Sequence, residues 1–180
     1  SAFVRLTDGK VKEFQHPRSV EDIAFAPKGV RIAVARYNGA TLHFPATEGK
    51  PTELEWAGAH TAITFSPDGQ YLITAMQENA LHGWKLADGR DMRMSGYPAK
   101  VKSLSWGPKS RWLASSGAPA AIVWPFQGKD GPMGKAPLEL GTRGDSMVTA
   151  VAFHPTDEIV AIGYSDGMVL ASRCADQKEV

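Results

Sequence analysis

Four times along this chain an aromatic residue, any residue and a proline recur: Phe25-Ala26-Pro27, Phe65-Ser66-Pro67, Trp106-Gly107-Pro108 and Phe153-His154-Pro155, at steps of 40, 41 and 47 residues. A period of that size marks a repeat architecture, in which one supersecondary unit is copied and buries its apolar face on its neighbours. The flanks agree as well. Two residues before each aromatic stand Ile23, Ile63, Leu104 and Val151, and seven after it Ile32, Leu72, Leu113 and Val160.

The second copy shows the unit most plainly. His60 to Phe65 alternates apolar and polar positions, and Ser66-Pro67-Asp68-Gly69 follows with turn chemistry: proline presets φ and glycine accepts φ > 0. Tyr71 to Ala75 is a second apolar run, Gln77-Glu78-Asn79 a polar break, and Ala80 to Leu86 a third run; Ala87-Asp88-Gly89 then turns into Arg90 to Met94. Each unit therefore reads as four strands. An aromatic closes the third strand 19 residues after the first anchor in copies one and two (Phe44, Trp84) and 18 after it in copy three (Trp124), but copy four has Ala171 or Ser172 there. Residues 128–137, with three glycines and two prolines, lengthen copy three as a loop between its third and fourth strands.

These residues resemble the WD40 repeat of β-propellers, with the aromatic-Ser-Pro-Asp-Gly hairpin at Phe65 to Gly69 and the tryptophans at Trp84 and Trp124 carrying the likeness. The resemblance implies an all-β fold, a β-propeller of four-stranded blades set radially about a channel. The expected blades are 19–58, 59–98, 99–145 and 146–180, and residues 1–18 read as the end of a preceding blade, because Val4 to Lys10 parallels Trp84 to Arg90. The sequence departs from the family where Trp84 precedes Lys85 and Trp124 precedes Pro125 instead of aspartate. No Gly-His pair leads the first strand; His60 stands where other copies carry Val20, Val101 and Val148. The buried Asp-His-Ser-Trp network that the resemblance implies thus lacks members. Only Asp166 holds the turn aspartate, with Asn38 and Asn79 as substitutes.

Propellers of this kind close with about four to eight blades. An open blade face of roughly 330 Å² would forgo about 8 kcal/mol of burial. About four blades are therefore expected to be a partial propeller completed by further blades of the same protein, and a four-bladed ring using Val11 to Phe14 as the missing strand is the other closure.

Twenty basic against nineteen acidic residues, without long charge runs, argue against a nucleic-acid or membrane surface. The lone Cys174 excludes an internal disulfide framework and fits a reducing, cytoplasmic compartment. Gly163-Tyr164-Ser165-Asp166-Gly167 satisfies a hydrolase elbow pattern, yet Met168-Val169-Leu170 reads as a strand where that elbow needs a helix. Histidines 16, 43, 60, 82 and 154 show no metal spacing, and neither Glu21-Asp22 nor Asp157-Glu158 forms a dyad, since strand neighbours face opposite ways. No cofactor, metal or catalytic residue is expected.

The function expected is therefore a non-catalytic scaffold that binds a protein or peptide through rim loops. Arg36, Tyr37, Gln77, Glu78, Tyr164 and Ser165 lie in the links between second and third strands, with His60, Arg18 and Lys100 near the starts of blades. The alternative is an enzyme or small-ligand propeller whose channel-mouth site is completed by other blades.

Overall fold

The computed structural model describes residues Ser1 to Val180, and all of its regular structure is β apart from one 3-10 turn at Pro108–Ser110. No helix is long and apolar enough to cross a membrane. The chain divides into two compact units, one of Ser1–Glu78 with His82–Asp91 and one of Asn79–Leu81 with Met92–Val180.

The first unit begins with a hairpin of β1 (Ala2–Arg5) and β2 (Val11–Phe14), closed where the Leu6 and Lys10 backbones bond at 2.8 Å and Gly9 takes φ 83°. Next in one sheet come β3 (Asp22–Phe25), β4 (Ile32–His43), β5 (Thr52–Phe65), β6 (Tyr71–Met76) and β7 (Leu81–Lys85). The Ser66-Pro67-Asp68-Gly69 turn forms between β5 and β6 as expected. Its Gly69 N–H donates to the Ser66 carbonyl at 2.8 Å, while Asp68 Oδ1 accepts from the Ser66 hydroxyl at 2.6 Å and the Gln70 amide at 3.0 Å.

One expectation fails here. Residues 36–39, read as a turn between two strands, lie inside the unbroken twelve-residue β4. The first part of β4 pairs with β3, Asp22 opposite Ala35 and Phe25 opposite Ile32, and the rest pairs with β5, Gly39 opposite Glu55 and Leu42 opposite Thr52. Between the two, Asn38 (φ 65°) and Gly39 (φ 137°) form a bulge. A Cβ on Gly39 would stand 2.0 Å from the Leu54 carbonyl oxygen, so only glycine fits. Bulges and tight turns ask for the same residue types at φ > 0, which is why the sequence reads as a turn.

The core of this unit gathers Ala33, Ala35, Leu54, Ile63, Phe65, Leu72 and Trp84. Phe65 is 7% exposed, whereas Phe25, its counterpart one repeat earlier, is 65% exposed, as is its neighbour Ile23 at 55%. The repeat places both rings alike; the neighbouring strands bury only one.

Strand β8 (Asp91–Met94) is followed, in the second unit, by β9 (Leu104–Trp106), β10 (Trp112–Ser115), β11 (Ala121–Pro125) and β12 (Leu138–Leu140), a four-stranded antiparallel sheet in chain order. That is the unit the sequence predicts, with the Gly- and Pro-rich segment looping between β11 and β12. The last repeat makes a three-stranded sheet of β13 (Val148–Phe153), β14 (Ile159–Tyr164) and β15 (Val169–Arg173), and beyond it a single bridge joins Ser172 to Glu179. Val123, Leu140, Val151, Val160 and Ile162, from both of these sheets, belong to the core of the second unit. Where other copies carry a large ring stands Ser172, fully buried.

Candidate functional site

The bulge at Asn38-Gly39 does more than bend β4. Alternation along a regular strand would send Arg36 to the opposite face from Thr41 and His43, but the extra residue inverts the parity and brings all three together. Arg36 Nε donates to Thr41 Oγ1 at 2.9 Å, and its Nη2 donates to Glu53 Oε2 at 2.6 Å and Glu55 Oε1 at 2.7 Å, both carboxylates two apart on β5. Thr41 Oγ1 donates to the same Glu53 oxygen at 2.8 Å. Burial works against charge on both Arg36 and Glu53, yet these hydrogen bonds outweigh it: the arginine is held above its ordinary pKa and Glu53 below its own.

Beside this cluster lie two imidazoles. His43, 5% exposed, stacks on Phe14 with ring centroids 4.2 Å apart, and its Nε2 is 3.1 Å from Nε2 of His16. Burial lowers both pKa values; the positive amino terminus adds to this at His16, and the second imidazole at His43. Together these groups line an open pocket of about 400 Å³. At its edge the Arg18 guanidinium sits 4.8 Å over the ring of Tyr37, which is 45% exposed. A pocket wall thus combines an aromatic-cation pair on the surface with a fixed cluster in which one guanidinium meets two carboxylates.

The structure brings together four of the sequence-derived candidates. Tyr37 lies opposite Ala59 of β5, and the Gln77 amide donates to the carbonyl of that same Ala59 at 2.9 Å, so Arg36-Tyr37 on β4 and Gln77-Glu78 in the turn after β6 flank one residue of β5. Gln77 and Glu78 are exposed, and Gly58 (φ 116°) leaves room for Glu78: a Cβ there would approach its carboxylate within 2.8 Å.

Two candidates are not surface residues. His60 is 0% exposed, with Nε2–H donating to the Trp56 carbonyl at 2.9 Å and Nδ1 accepting from Thr74 Oγ1 at 2.7 Å, so it is a satisfied neutral core imidazole. Burial lowers its pKa. Tyr164 is 4% exposed and donates its hydroxyl to the Gly141 carbonyl. Ser165 is exposed, but its Oγ accepts from the Met147 amide at 3.2 Å in a tight hairpin turn closed by Gly167 N–H to Tyr164 O at 3.0 Å. Strand β15 follows it, not a helix, so the geometry of a nucleophile elbow is missing. Lys100 is half-buried and Arg18 exposed.

Sequence reasoning missed two constellations. The His16 and His43 pairing spans 27 residues and joins a linker to β4, which no local spacing reveals. In the second unit the Trp124 indole N–H donates to the Tyr97 hydroxyl at 2.7 Å, Tyr97 bonds Ser115 Oγ at 2.6 Å, and Ser115 donates to the Ile122 carbonyl at 2.8 Å. Tyr97 is buried, and burial pushes its phenol up to about 12.

Comparison with known proteins agrees with the repeat. The family described as "WD domain, G-beta repeat" matches residues 138–170, from β12 into the start of β15. The chain is 26% identical over 163 residues to "Telomerase protein component 1" of Rattus norvegicus, an alignment covering 87% of this chain and 6% of the relative. It is 34% identical over 86 residues to "WD repeat-containing protein 1-B" of Xenopus laevis, covering 46% and 14%, and 33% identical over 54 residues to "Protein groucho" of Drosophila melanogaster, covering 30% and 7%. The chain therefore spans only a small part of each curated relative's length.

Proposed function

We propose that this chain, an all-β partial propeller built from repeats of the WD40 family, binds a protein or peptide partner at the pocket beside β4 and β5, with Tyr37 and Arg18 as the principal contacts. The family likeness supports an interaction scaffold in general. The observation that carries the finer reading is the exposed Tyr37 ring under the Arg18 guanidinium, mounted on a strand that Arg36 clamps to Glu53 and Glu55.

Tyrosine and arginine are enriched among the residues that carry binding energy at interfaces, and tyrosine offers large, partly apolar contact with few rotors to freeze. Clamping the strand beneath them lowers the ordering cost further. Gln77 and Glu78, in the turn after β6 at the other side of β5, extend the same surface. The chemistry performed is recognition without covalent change.

Affinity capture with the wild type and with a Tyr37→Ala/Arg18→Ala double variant of matching melting temperature tests the reading. Loss of a specific partner from the variant supports it; recovery of every specific partner undiminished overturns it.

A further inference from the structure

We propose that His16 and His43 together bind one late divalent transition-metal ion of the imidazole-preferring group, such as zinc, in the pocket beside Glu53. Two Nε2 atoms 3.1 Å apart, each about 2.0–2.1 Å from a common ion, enclose about 100° at the metal, between square and tetrahedral geometry. Imidazole is the commonest nitrogen ligand of such ions, and it ligates in its neutral form.

Three further features favour an ion over a plain hydrogen bond. His43 is locked by stacking on Phe14, so one ligand is already oriented. The pocket, about 400 Å³, has room for the waters that would complete the coordination. Glu53 lines the same pocket; both of its hydrogen bonds fall on Oε2, and its Oε1 accepts none. With two protein imidazoles and solvent in the remaining positions, the site would be weaker than a closed structural zinc site and open to a further ligand from outside.

This inference stands apart from partner recognition, because it is tested without any partner. Equilibrium dialysis or calorimetry with zinc chloride, and the visible absorption of the cobalt(II)-loaded protein, are measured on the wild type, His16→Ala and His43→Gln. One ion per chain is expected, with affinity falling at least tenfold in His16→Ala and with zinc raising the melting temperature of the wild type alone. Should His43→Gln fail to fold, His16→Ala suffices, since His16 lies on the linker after β2. Absence of a stoichiometric ion in the wild type, or undiminished binding in His16→Ala, overturns the proposal; the second result would assign the ion to the histidine-carboxylate pairs His82–Asp91 or His154–Asp157.

Discussion

The indole N–H of Trp124 donates to the hydroxyl of Tyr97 at 2.7 Å, 27 residues away in sequence. The chain of donors runs on through Ser115 to the Ile122 carbonyl, so every polar proton in this buried line has an acceptor. Partnered burial of this kind is tolerated where an unpartnered group would cost free energy.

Tyr97→Phe keeps the ring and removes the hydroxyl, leaving the Trp124 indole and the Ser115 hydroxyl each short of a partner. A loss of about 1–3 kcal/mol is expected in urea denaturation. A variant as stable as the wild type would mean that the hydroxyl is not a link in the core.

Phe65 and Phe25 hold one repeat position but different surroundings. Phe65→Ala should cost about 3–5 kcal/mol, as a large ring lost from a core does. Phe25→Ala should change stability by less than about 1 kcal/mol. Equal losses in the two denaturation midpoints would contradict the burial difference.

His60 gives a pH signature. Its folded pKa lies below the ordinary 6.5, because burial disfavours the cation. Between the two values the unfolded chain binds more protons than the folded one, so the contribution is complete above about pH 6.5 and is lost as pH falls through the lowered pKa. His16 and His43 are shifted the same way and add to the slope. The expected result for His60→Gln is a smaller fall in stability between about pH 7.5 and about pH 5 than the wild type shows. An unchanged fall would contradict a neutral buried His60.

The repeat was legible because strand alternation and turn chemistry are local. Phe65 to Gly69 and the four strands from Leu104 to Leu140 fold as their residue types dictate. The path of β4 was not, because Asn38 and Gly39 satisfy a bulge as well as a turn, and pairing with residues 52–55 decides between them. Burial of His60 and Tyr164 depended on partners at Trp56 and Gly141 that no spacing announces. Of the candidate surface, Arg36, Tyr37, Gln77 and Glu78 were visible as polar breaks in apolar runs. The His16 and His43 contact was invisible, since it joins a linker to the last residue of β4, 27 residues away.

The most direct measurement of the central claim is amide hydrogen exchange of the intact protein with and without a captured partner. Protection gained at residues 15–18 and 36–38, and at 77–78 beside them, is the result expected of a contact surface centred on Tyr37 and Arg18. Protection confined to other segments, such as 164–168, with residues 36–38 exchanging as freely as before, would contradict it.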